Sequence, residues 1–224
     1  MNPKKPIKEF GKVYDYLRSH SLRTKERQNG HIYVDDADFT GEEFINGTWK
    51  NFIFKRCYIP ASHFIQQTET IGCRFMNCEF GPGRVDASLS FGKMTNGEFW
   101  KCTFTDGNVS FGQGHAMFKD CEFNNTYSNI NKTTGIGGES LKLANCKLHD
   151  YGLLYSAKLH LLGCHFSSIE HGALYPRGEY TADLILEDTL LENAEEILWN
   201  AKIKNLTLKG CRVKGTFSAQ HGLM

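Results

Sequence analysis

No apolar run in this chain approaches the roughly 18 residues needed to cross a bilayer, so no membrane-spanning helix is expected. The first residues, MNPKKPIKEF, carry charge with no apolar stretch behind it, which argues against a secretory leader and for a cytoplasmic protein. Charge of one sign is also missing: 26 Lys and Arg stand against 25 Asp and Glu. That balance argues against a general nucleic-acid binder, which is usually strongly basic. No G-x-x-x-x-G-K-[ST], G-x-S-x-G or H-E-x-x-H occurs, so the common nucleotide, hydrolase and zinc-protease signals are absent. No C-x-x-C pair occurs either, and Cys73 with Cys78 has the wrong spacing for a zinc knuckle. No metal and no cofactor is expected.

What the chain has instead is a beat of five. From Ile32 to Phe64 every fifth residue is large and apolar: Val34, Phe39, Phe44, Trp49, Phe54, Ile59, Phe64. A period of five is neither the 2.0 of a strand nor the 3.6 of a helix. It marks a repeat. Stacking successive fives gives apolar-x-apolar-x-x-small-x-apolar, which recurs nine times, from Ile32/Val34/Ala37/Phe39 to Leu206/Leu208/Cys211/Val213, at spacings of 18 to 25 residues. That is one coil of a parallel β-helix, in which each coil adds one strand per face at about 4.8 Å. The reading is an all-β solenoid, a parallel β-helix of about nine coils and roughly 40 Å long.

Seven of the eight cysteines fall at the small position of the motif. Disulfides and metal sites do not recur at one phase of a repeat, whereas a column of small buried side chains must. The thiols are therefore expected reduced and packed inside, as small hydrophobes. Ile7, Phe10, Val13, Tyr14 and Leu17 recur at helical spacing, so an amphipathic helix is expected from about Lys5 to Ser19. With eight basic residues against three acidic ones, residues 1–30 would form a basic helical cap over the apolar end of the rod. Residues 31–216 then form the β-helix and 217–224 a short tail, which leaves a homodimer through the C-terminal end possible.

The run ADFTG, EEFIN, GTWKN, FIFKR, CYIPA resembles the pentapeptide-repeat family, whose units read roughly A-(D/N)-L-x-x. The later CEF, CTF, CEF, CKL, CHF and CRV look like the same unit with cysteine in the alanine slot. The resemblance covers residues 31–215 and implies a right-handed, four-sided β-helix. After Phe64 only about half of each coil keeps the beat, so loops are expected on one or two faces, at Gly81–Asn96, Asn124–Glu139 and Ser167–Asp183. DNA mimicry is known within that family, but it needs a long acidic face, and here the acids cluster only between Asp183 and Glu196.

For function, outward apolar residues are the better clue, because a rod does not need them for its core. Met76, Trp100 and Met117 are predicted to point out, and Tyr127, Tyr175 and Arg177 stand in the loops. These six are the candidate partner-binding residues of a non-catalytic interaction module, such as an inhibitor, immunity or effector protein of bacteria or phage. A protein partner is expected, with no nucleic acid and no membrane. The alternative is a carbohydrate-active enzyme. Glu79 and Glu122 hold equivalent outward slots two coils apart, about 9.5 Å. That distance overlaps the upper range for the paired carboxylates of an inverting glycosidase. His149, His160, His165 and His171 lie near one another in sequence but are not expected to converge on a metal.

Overall fold

A parallel ladder is the cheapest way for a short repeated segment to satisfy its backbone. Each N–H and C=O finds the same group one coil away, and like side chains are brought onto like. The computed structural model of the chain follows that rule. It describes residues 5–6, 30–39, 48–59, 69–81, 88–106, 108–111, 114–125, 135–150, 152–153, 156–167, 182–194 and 203–215. Every strand pairing among them is parallel, and the strands collect into four sheets. The chain is an all-β parallel solenoid.

Sheet I has nine strands: Ile32–Asp35, Phe52–Lys55, Arg74–Met76, Gly97–Trp100, His115–Lys119, Ser140–Ala144, Lys158–Leu162, Ala182–Glu187 and Ile203–Lys209. Sheet II has ten, running from Lys5–Pro6 and Ala37–Asp38 through Thr103–Thr105 and Glu122–Asn124 to Arg212–Gly215. Sheet III has four strands and sheet IV three. Loops are expected on one or two faces of about nine coils; among the described residues two faces are long and two are short, so nine complete four-sided coils are not what the structure shows. The short faces follow the lost beat. Beyond Phe64 the segment returning from sheet II to sheet I varies in length, so it cannot keep one register from coil to coil.

The expected N-terminal helix is corrected at its start. Lys5–Pro6 is a strand that pairs with Ala37–Asp38 and extends sheet II by one step. An unpaired ladder edge offers its hydrogen-bonding groups to any extended segment, and at these two residues that demand outweighs the amphipathic pattern. The remainder of the expected cap, residues 7–29, lies outside the described residues, as does the tail 217–224.

Inside, the motif positions form columns. Phe54, Phe75, Phe99 and Phe118 stack face to face, with centroids 4.8, 4.7 and 4.7 Å apart and ring planes within 10° of parallel. Phe80, Phe104 and Phe123 make a second column at 4.5 and 4.7 Å. Isolated ring pairs prefer offset or edge-on arrangements. Here the coil spacing imposes the stacking within columns, and edge-on contacts appear between columns, as in Phe99 with Phe104 at 5.7 Å and 60°. Beyond Phe118 and Phe123 the columns continue as Leu143, Leu161 and Leu186, and as Leu148, Phe166 and Leu191.

The small column lies at the corner between sheets I and II. All eight cysteines are unpaired thiols, seven of them buried. They are more than small hydrophobes, because each donates toward backbone carbonyls. Cys102 Sγ is 3.3 Å from Phe75 O in the coil before it and 3.5 Å from Trp100 O two residues back. Cys57, Cys78, Cys121, Cys164 and Cys211 repeat that pair of contacts. Where the column lacks a cysteine, Thr189 donates its hydroxyl to Glu187 O at 3.0 Å. Burial pushes the Cys73 thiol up to about 12 and Cys102 well above its ordinary value.

One residue before each small position of the motif, a cysteine in seven of the nine, the chain turns with a positive φ: Asp36, Arg56, Asn77, Lys101, Asp120, Asn145, Gly163, Asp188 and Gly210, all between +48° and +65°. Asn, Asp and Gly tolerate this region, while for other residues it costs roughly 1–2 kcal/mol. Arg56 recovers stabilisation by clasping Asp36 of the preceding coil with Nε and Nη2, at 2.7 and 2.8 Å.

Because the thiol column is closed on all sides, Cys102→Leu should destabilise the fold by about 1–3 kcal/mol through overpacking. Cys102→Ser, which keeps a donor of similar size, should cost less. Urea unfolding of the two variants checks this ranking.

Candidate functional site

The outward residues of sheet I also form rows, because the inward columns fix the register. One row reads Asp35, Lys55, Met76, Trp100, Lys119, Ala144, Leu162, Glu187, Lys209. Met76 and Trp100 are neighbours in it, as their repeat positions predict. Trp100 is 36% exposed, an unusual state for so large an apolar side chain. The two residues line a shallow groove of about 240 Å³, together with Asn77, Lys101, Lys119 and Asp120.

Lys101 and Asp120 belong to the positive-φ corner, and Lys119 to the same outward row as Trp100. The backbone ties them: Lys101 N–H donates to Lys119 O at 2.9 Å, and Asp120 N–H to Ala144 O at 2.9 Å. Asp120 Oδ1 accepts from Asn145 Nδ2 at 3.3 Å. Among the described residues neither Lys101 nor Lys119 has a counter-ion. Some other polar side chains on this face are matched coil to coil, while Lys142, Lys158 and Lys209 also lack an ion pair among the described residues. Arg74 Nε lies 3.0 Å from Glu98 Oε2, an ion pair whose angle leaves that oxygen without a hydrogen bond. His160 Nε2 lies 3.3 Å from Glu187 Oε2, and Lys55 sits 4.9 Å over the Tyr33 ring. The groove is therefore an apolar floor with a local cationic excess.

Of the other predicted residues, Met117 stands in the adjacent outward row, paired with Glu98, and does not line the groove. Tyr127, Tyr175 and Arg177 lie outside the described residues. Leu162 and Ile185, 36% and 38% exposed, extend the apolar character toward the later coils. The groove residues missed by sequence reasoning are Asn77, Lys101, Lys119 and Asp120. Their signal was available: Asn77, Lys101 and Asp120 each precede a cysteine of the thiol column, and Lys119 holds the slot after Trp100.

Glu79 and Glu122 stand on sheet II, with Thr103 between them in register. Both are exposed, and Glu122 Oε1 accepts from Lys147 Nζ at 3.0 Å. They form part of a ladder of surface charge. His160 and His165 fall on different sheets, and His171 lies outside the described residues. Among the described residues no three His, Cys, Asp or Glu side chains converge as a metal site would require, and no helix is long and apolar enough to cross a membrane.

The chain matches no protein-family model, and no curated protein matches it in sequence.

The acids after Asp183 are tied into the last coils. Asp183 Oδ1 accepts from Asn205 at 2.8 Å. Glu192 bridges Lys214 Nζ at 2.7 Å and His165 Nε2 at 3.0 Å. Those two partners, Lys214 first, hold the Glu192 carboxyl below its ordinary 4.5. A depressed acid stabilises the fold above its unfolded value, and that contribution disappears as pH falls through the lower folded value. Glu192→Gln should therefore lower the melting temperature slightly at neutral pH and flatten its decline below about 4.5. A melting series against pH, compared with wild type, reads this.

Proposed function

We propose that the protein is a non-catalytic interaction module, a rigid rod that presents one face of sheet I to a partner protein. We assign it further to the pentapeptide-repeat type, as a right-handed four-sided helix acting in the cytoplasm of a bacterium or in a phage-infected cell. The observation that carries the reading is Trp100, held out of the core beside Met76 by a register that places every neighbouring aromatic inside. Tryptophan is enriched where interfaces concentrate their binding energy. A wall of short strands suits such a surface, because it moves little on binding.

A photo-reactive amino acid at Met76 tests the reading in the native cell. It should give one discrete adduct, lost in a Trp100→Ala background, while the same probe at Glu79 on sheet II gives none. Trp100→Ala should change stability by less than about 1 kcal/mol, against about 3–5 for Phe99→Ala in the core beside it. A large loss of stability at Trp100 would make it a core residue and remove the reading.

The same module has a second contact at its C-terminal end, with another copy of the chain. Leu208 and Val213 continue the inward columns yet are 49% and 40% exposed. Light scattering should show a concentration-dependent dimer that Leu208→Lys shifts to monomer. A wild-type chain that stays monomeric at every concentration sinks this contact.

A further inference from the structure

We infer that the groove beside Trp100 receives an acidic amphipathic helix of the partner protein, laid along the axis of the rod. The inference rests on the interaction reading above and gives the partner its chemistry.

The first argument is spacing. The exposed row runs along the rod axis at about 4.8 Å per coil. An extended peptide laid on it would repeat one face every 6.8 Å or so, and would leave register within two coils. An α-helix offers one side chain per turn, at about 5.4 Å. Over the four steps from Met76 to Leu162 it drifts by only about 2.4 Å, which side-chain rotamers absorb. The surface is a ladder of rungs, and a helix is the secondary structure whose turns fit them.

The second argument is the content of the rungs. In order they are Met76, Trp100, Lys119, Ala144 and Leu162: two apolar, one cation, one small, one apolar. The complement is a helix face carrying apolar groups at its first two turns, a carboxylate at the third, and apolar groups again at the fifth. Ile185, exposed in the adjoining row next to Leu162's coil, widens the last contact.

The third argument is charge. Lys101 and Lys119 line the groove without a counter-ion among the described residues, whereas the nearby Arg56 and Arg74 each have one. Lys101 also occupies the left-handed corner at φ +53°. Most coils place Asn, Asp or Gly there, and Arg56, the other long side chain, is secured by Asp36. Among the described residues no carboxylate secures Lys101 in the same way. Asp120 also lines the groove, accepting from Asn145, and its own charge turns an incoming carboxylate toward the two lysines. Charge on this scale selects a partner and speeds its approach more than it adds affinity.

Three helix-stapled, fluorescein-labelled peptides test the inference against the full chain by anisotropy. One face reads Leu-Leu-Glu-Ala-Leu at successive turns, and the other two carry Gln or Lys in place of the Glu. The expected order of affinity is Glu, then Gln, then Lys, with the Glu peptide weakened by salt. Lys119→Glu should reduce binding of the Glu peptide roughly tenfold and restore that of the Lys peptide, with no change in melting temperature. Equal binding of all three peptides, still lost in Trp100→Ala, overturns the acidic preference and leaves the interaction reading intact. Failure of wild type to bind any of them, or tighter binding of an unstapled, proline-broken version, overturns the helix itself. The cross-linking result then decides the broader reading separately.

Discussion

The distance between one coil and the next governs this molecule. Backbone hydrogen bonding sets it at about 4.8 Å, and every other contact has to accept that number. The phenylalanines accept it by lying flat on one another, although a lone pair of rings would tilt. The thiols accept it by reaching a carbonyl in the coil before. Some surface charges accept it by pairing with the opposite sign one coil on, as Glu122 does with Lys147 and Glu192 with Lys214. A core residue here answers first to its own copies above and below, and only then to the neighbours it touches sideways.

The same spacing separates scaffold from surface. Inward columns tolerate little variety, because a change in one rung is felt in two others. Outward rows carry no such restriction, so the sequence can vary there at little structural cost. Trp100, Lys101 and Lys119 lie within four coils that are otherwise among the most regular in the chain. A row of variable side chains on a repeating ladder is where such a rod can change its surface without changing its core.

Two rows of the fold were legible in the residues, and for a physical reason. Phe54, Phe75, Phe99 and Phe118, and the thiols beside them, repeat because the backbone forces them into contact, so spacing in sequence is spacing in space. Met76 and Trp100 followed from the same arithmetic. The groove did not, because it is built across the corner, where Lys101 and Asp120 adopt a left-handed turn that side-chain periodicity does not report. The lost beat after Phe64 marked where the faces become irregular, but not that, among the described residues, sheets III and IV would hold four and three strands. Lys5–Pro6 was misread for the opposite reason: a local apolar pattern suggested a helix where a distant strand edge, Ala37–Asp38, claimed the backbone.

The eight thiols, none in a disulfide, also act as a gauge running the length of the rod. Seven are sealed inside, and Cys211 in the terminal coil is the least enclosed. An alkylating reagent can reach a sealed thiol only when the coil above or below has peeled away. The order in which the sulfurs acquire label would therefore record, rung by rung, the end from which the protein comes apart.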